Sequence, residues 1–232
     1  MLETMSYTEE KRLPREFFTR DGLTVARELL GKVLVHETSM GTVRGIITEV
    51  EAYMGVEDKG SHTYGGRRTE RTEPMFLQGG NSYVYFTYGM YYCMNITTGI
   101  DGDPQAVLIR SVVPLEEVSK EKMLALRVEA GRAKALKKVS PDLCGEERIR
   151  EEQKLLAKLR KNVEKHLADG PGKMCLAMGI TKAQNAVDMI KSDVFYVTEG
   201  REVKPQDILT GKRIGIDYAE EAADYLWRFF LK

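Results

Sequence analysis

The chain of 232 residues carries 35 basic and 35 acidic side chains, so its formal net charge is zero. That balance weighs against an unselective polyanion binder, which carries a basic excess, though it leaves room for a local basic face. Hydrophobic residues at 42% support a real core, in one large domain or two small ones.

Residues 1–12 are polar and read as a loose end. Gly22 to Gly31 predicts a short helix with Leu23, Ala26 and Leu30 on one face and Gly31 just past its end. Lys32 to His36 and Val43 to Tyr53 predict strands joined by a turn at Met40-Gly41. Gly55 to Asn81 is rich in glycine, threonine and charge, and its length points to function. Ser82 to Tyr88 and Met90 to Thr97 predict a hairpin with Gly89 at its tip. Ala106 to Val113 is a further strand, ended by Pro114, and Glu116 to Leu136 is helical in composition. Glu146 to Leu167 predicts a charged helix with one packed stripe of Ile149, Leu156, Leu159, Val163 and Leu167. Gly170-Pro171-Gly172-Lys173 opens a short helix that stops near Gly179. Val194 to Val197 and Ile214 to Ile216 are strand-like, before the aromatic end at 225–230. With no repeat and no linker, residues 13–232 read as one mixed domain of class α+β.

Cys93, Cys144 and Cys175 are an odd, scattered set without a CxxC pair, which argues against disulfides and zinc and for small buried hydrophobes. His62 has no second histidine nearby, so no metal or cofactor is expected. No leader-like apolar start and no apolar run near 18 residues are present. A soluble, non-membrane, non-secreted protein in a reducing compartment is expected, cytoplasmic in a bacterium or nuclear in a eukaryote. Asn95-Ile96-Thr97 is then a sequon by coincidence.

Three groups of residues carry chemistry. Strand alternation puts Ile47, Glu49, Glu51 and Tyr53 on one face, and a carboxylate among apolar and aromatic neighbours has a raised pKa suited to a general base. On spacing alone, a pair of strand carboxylates facing solvent or an arginine is the better fit. Tyr83, Tyr85, Tyr88, Tyr91 and Tyr92 crowd a hairpin tip, where rings stack on flat bases or pair across strands. Arg67, Arg68 and Arg71 form a basic loop, Arg110 ends a strand and Lys173 opens a helix, positions that suit phosphates. The Gly-Pro-Gly-Lys segment lacks the spacing of a Walker loop.

Several blocks in order carry a family resemblance: Ala26 to Gly31, Thr48-Glu49-Val50-Glu51-Ala52-Tyr53, Asp58 to His62 with Gly65-Gly66-Arg67, Met75-Phe76, Tyr83 to Asn95, Val107 to Arg110, Gly170 to Lys173 and Arg213-Ile214-Gly215. Across residues 13–231 the chain resembles the alkyladenine (3-methyladenine) DNA glycosylase family. The resemblance implies a curved, mostly antiparallel sheet with surrounding helices and a protruding β-hairpin. It also implies a monofunctional hydrolase that flips damaged purines (3-methyladenine, 7-methylguanine, hypoxanthine, ethenoadenine) from duplex DNA, acting as a monomer. Glu51 would be the general base, with Arg110 and the Ile214 carbonyl holding its water. Tyr53, His62 and Tyr85 would cage the base, Asn95 would exclude guanine and Tyr88 would fill the gap. Arg67, Thr69, Met75, Met90, Lys173 and Gly215 would contact DNA. The chain departs from the vertebrate pattern at Gly99 to Gln105 and in the charged helix from Glu146. From the residues alone, a nucleoside or glycoside hydrolase using Glu49 and Glu51, or a non-catalytic nucleic-acid module, stays open.

Overall fold

Residues 11–232 are described by a computed structural model. The elements in chain order are α1 (Arg15–Phe18), α2 (Gly22–Leu29), β1 (Val33–Thr38), β2 (Gly41–Tyr53), β3 (Ser82–Thr87), β4 (Tyr91–Thr98), β5 (Gln105–Pro114), α3 (Glu117–Leu136), α4 (Gly145–Lys165), α5 (Pro171–Ala177), β6 (Phe195–Thr198), β7 (Ile208–Gly211) and β8 (Arg228–Leu231). The expected loose end at 1–12 lies mostly outside the described residues. Arg12 is docked, its guanidinium donating to the Ser192 carbonyl and stacking over Tyr196.

All strand pairs are antiparallel, in the order β3-β4-β5-β2-β1-β6, and β8 joins β2 to β7. The result is a curled sheet with helices on one side, a single α+β domain. β2 pairs with β1 over Gly41 to Ile46 and with β8 over Glu49 to Glu51, so it changes neighbours halfway along. Asp21 starts α2 by accepting the N–H groups of Leu23 and Thr24, both at 3.1 Å. The buried face of α2 is Val25, Ala26 and Leu29, which meets Ile47, Val50 and Ala52 of the sheet and Met174, Cys175 and Met178 around α5. Each such side chain contributes roughly 1.5–3 kcal/mol when fully buried.

Simple alternation fails in β2. The β2–β5 register shifts on both sides of Glu49, where Thr48 is extra on one strand and Arg110 on the other. Ile47 therefore packs into the core with Val50 and Ala52 instead of sharing a face with Glu49 and Glu51. On β5, Val107, Ile109 and Val112 face the core, and Leu108 and Arg110 face the opposite side.

The long segment after β2 is held by three short 3₁₀ turns, Gly55–Glu57, Tyr64–Gly66 and Glu73–Phe76. Ile214 to Ile216 is an irregular loop rather than a strand, and β7 comes earlier. Gly215 takes φ of 79° there, a conformation that breaks strand geometry and favours glycine. In α4, Val163 is buried but Ile149 is 56% exposed, so the packed stripe is shorter than predicted. Among the described residues no helix is long and apolar enough to cross a membrane.

Candidate active site

The β2 bulge leaves Glu51 and Tyr53 on the sheet face away from the core helices. Glu51 is 0% exposed. Its Oε1 accepts the Ile214 backbone N–H at 2.8 Å and faces Arg110 Nη1 at 3.1 Å, and its Oε2 accepts the Tyr53 hydroxyl at 2.8 Å. Burial pushes the Glu51 carboxyl above the usual glutamate range; Arg110, the Ile214 N–H and Tyr53 pull it down in part, and Glu49 pushes it up. Burial also drives the Tyr53 phenol well above its ordinary value, and the Glu51 charge adds to this, so Tyr53 stays a donor.

Glu49 is differently placed. Its Oε1 is shared by Arg110 Nε at 3.0 Å and Arg228 Nη1 at 2.9 Å. Arg110 thus bridges both acids. Glu49 is held by two arginines, while Glu51 is held by Arg110, Tyr53 and the Ile214 N–H.

A cavity of about 240 Å³ opens above Glu51. It falls below the roughly 300–1,000 Å³ of pockets for drug-sized ligands, so it suits one flat base. Glu51 lies just beneath its wall, whereas Tyr53, Arg110 and Ile214, its three partners, line it. His62, Tyr83 and Tyr85 also line the cavity. The His62 ring meets Tyr85 edge-on at 4.7 Å, and its Nδ1 lies 2.9 Å from the Tyr83 hydroxyl. Burial, with the nearby Arg71 and Arg67 charges, lowers the His62 pKa to about 4, so its ring is neutral at pH 7. Burial pushes the Tyr83 phenol up to about 12. Arg71 lies over the Tyr85 ring, 5.0 Å from its centroid, so a flat cation already sits on this wall. Asn95 is buried in the floor and donates from Nδ2 to the Tyr83 carbonyl at 3.1 Å.

Tyr88 stands at the hairpin tip, 80% exposed, with φ of 52°. It lines the cavity mouth, and its hydroxyl is 3.8 Å from where a side chain on Gly215 would begin. Met90 is exposed beside it. Arg67 and Thr69 line an adjoining groove of about 390 Å³ that shares His62, Arg71 and Tyr218 with the cavity.

The Met75 side chain is 2% exposed, packs with Tyr83 and Ala106, and lines the cavity. Some sequence candidates stand elsewhere. Arg68 is held by Glu73 and stacks on Phe76, away from the other loop arginines. Lys173 is half-buried and paired with Asp169 at 3.1 Å. The Ile214 backbone N–H also donates to Glu51, a contact in addition to the water-holding carbonyl that the resemblance implies.

The sequence reading missed the fully buried Asp58–Arg213 pair, closed at 2.5 and 2.7 Å. Arg213 also donates to the carbonyls of Ala52 and Ala222, and so pins the Ile214 loop beside Glu51. Both residues fall inside the blocks of the resemblance, but a lone Asp and a lone Arg 155 positions apart give no pairing signal. Among the described residues no group of three or more His, Cys, Asp or Glu is placed to hold a metal.

Residues 16–232 match the family model described as Methylpurine-DNA glycosylase (MPG). A protein of Clostridium acetobutylicum is 45% identical over 221 residues, 95% of this chain and 94% of that protein. One of Desulfitobacterium hafniense is 45% identical over 222 residues, 96% of each, and one of Clostridium novyi is 43% identical over 222 residues, also 96% of each. All three carry the name "Putative 3-methyladenine DNA glycosylase". The class is that of DNA glycosylases, hydrolases of base excision repair that cleave N-glycosidic bonds and act on DNA. The chain belongs to the methylpurine-DNA glycosylase family.

Proposed function

We propose that the protein is a monofunctional, monomeric glycosylase that extrudes a damaged purine from duplex DNA and hydrolyses its N-glycosidic bond with water activated by Glu51. Its substrates are 3-methyladenine, 7-methylguanine, hypoxanthine and ethenoadenine, and it acts where chromosomal DNA is held. The observation that carries the reading is a buried carboxylate of raised pKa directly beneath an aromatic, base-sized cavity.

The C1′–N bond lies inside the base stack, so the nucleotide must leave the duplex at a cost of a few kcal/mol. Tyr88, on its exposed tip, fills the gap and offsets part of that cost. The base enters between Tyr53 on one side and His62 with Tyr85 on the other. An alkylated, cationic purine gains about 0.5–2 kcal/mol over these ring faces, and neutral His62 does not repel it. Arg71 leaves the Tyr85 face as the base arrives.

A carboxylate offers about four lone-pair positions, and three on Glu51 are filled by Tyr53, Ile214 and Arg110. The fourth takes the water. Its oxygen attacks C1′ as the C1′–N bond breaks, its proton passes to Glu51, and a cationic purine departs neutral, whereas a neutral one such as hypoxanthine departs as its anion and takes a proton from solvent water at the released ring nitrogen. The ionised carboxylate also stabilises positive charge developing on the sugar. Asn95 in the floor crowds the exocyclic amine of guanine.

Glu51→Gln tests the assignment. Base release from a lesion duplex should fall at least 100-fold while binding to that duplex persists. Release at the parental rate would remove Glu51 from the role.

A further inference from the structure

The helical hairpin of α3 and α4 plays no part in the base pocket. From Glu117 to Lys165 it holds fourteen basic and nine acidic residues, a local excess of five in a chain of zero net charge. Five of its fourteen basic residues sit in ion pairs, among them Arg148–Glu152, Lys154–Glu151, Arg160–Glu121 and Arg132–Glu129. A groove of about 310 Å³ lies between the two helices. Its floor is Leu155 and Leu159, and its rim carries Lys134, Lys138 and Lys158, with no carboxylate among the lining residues. None of these three lysines makes an ion pair among the described residues, and all are exposed. Leu159 seats directly on Gly131, where a side chain would begin 3.2 Å from its methyls. That close approach keeps the groove apolar at its base, against which lysine stems can lie with their ammonium groups outward.

The groove is continuous with the cavity side of the protein. Arg127, Gly131 and Lys134 fall at helical spacing on one stripe of α3, about 10 Å long, and Lys138 follows in the turn past its end. Arg127, at the near end, donates to the carbonyls of Leu167 at 2.6 Å and Lys173 at 3.5 Å. These residues flank the start of α5, where Pro171 lines the cavity and Gly172 packs on the Tyr91 ring of the hairpin. From the start of α5 the stripe thus runs over about the rise of three base pairs, at 3.4 Å each, with Lys138 beyond it.

We propose that the α3–α4 groove is a sequence-independent site for the DNA backbone flanking the lesion, with Lys134, Lys138 and Lys158 each taking a phosphate. The charge complementarity and the continuity with the base pocket select duplex DNA as the occupant. Taking DNA as the polyanion rests on the glycosylase function proposed above. The groove also gives the charged α4 helix a function.

The test compares parent with the triple variant Lys134→Gln, Lys138→Gln, Lys158→Gln on duplexes of about 10 and about 30 base pairs sharing one central lesion. Binding is followed by anisotropy over a salt series. Each phosphate contact contributes about 0.9 to the slope of log K against log salt, so the variant should lose roughly 2–3 from its slope on the long duplex. On the short duplex its slope and its single-turnover base release should match the parent. Equal slopes for variant and parent on the long duplex would overturn the site. It would also fall if those slopes coincide while only binding of a poly-glutamate peptide drops, which would mark a protein-binding surface. A parent that releases no base yet shows the extra long-duplex slope would sink the catalytic reading and leave the groove standing.

Discussion

The Tyr53 hydroxyl donates to Glu51 Oε2 at 2.8 Å, so one residue both walls the cavity and closes over the carboxylate beneath it. The two sit two positions apart on β2, past the bulge that turns them from the core. Tyr53→Phe keeps the ring for stacking and removes one donor that favours ionised Glu51. Burial then raises the Glu51 pKa further. Lesion binding should persist, and the acid limb of the pH–rate profile should move to higher pH. A profile that superimposes on the parent's would show that the hydroxyl does not tune the base.

In the proposed reaction Glu51 acts ionised, and its pKa is raised by burial. Base release should therefore decline with falling pH from a point above the ordinary glutamate range. The stability linkage has the opposite sense. A folded pKa above the unfolded one stabilises at low pH, and that contribution is lost as pH rises through the folded value. Glu51→Gln should then melt above the parent at neutral pH, with the difference shrinking in acid, even as activity disappears. Thermal melts across pH check this.

His62, whose pKa is lowered to about 4, should show no titration midpoint between pH 5 and 8 in ring-carbon NMR. Because the folded pKa lies below the reference value of 6.5, the unfolded chain takes up the proton first. The stability contributed by neutral His62 should fade as pH drops from about 6.5 through 4. His62→Gln should flatten that part of the melting profile.

Asp58→Ala leaves Arg213 buried without its counter-charge. Removing one partner of a buried pair costs about 3–5 kcal/mol, which in a domain of this size is a fall in Tm on the order of 10 °C. The Ile214 loop would also lose its anchor, so base release measured well below the new Tm should be slower than in the parent.

Tyr88 holds a positive φ of 52°, which costs a tyrosine about 1–2 kcal/mol. Tyr88→Gly removes the strain along with the wedge. The variant should melt no lower than the parent, yet release a lesion base from paired duplex about tenfold more slowly. The deficit should shrink when the lesion sits opposite a mismatch. Equal losses on both duplexes would remove Tyr88 from the flipping step.

Local patterns carried much of the fold. Apolar and β-branched runs marked β1 to β5, and Gly31 marked the end of α2. The tyrosine run around Gly89 marked the hairpin that borders the cavity. Alternation failed at Thr48, because the inserted residue is set by pairing with β5 and leaves no mark in β2 itself. Strand-like composition also misled at Ile214, where the loop serves a buried arginine and a carboxylate far away in sequence.

The sequence by itself determined which groups the site would hold: an acid and a tyrosine two apart, a loop histidine, and an aromatic hairpin. Only the tertiary structure decided what each group does. It buried Glu51, tied Glu49 to Arg228 across 179 positions, sank Met75 into the floor and closed Asp58 on Arg213. Burial and long-range pairing set charge state and access, and both arise from contacts that no local spacing encodes.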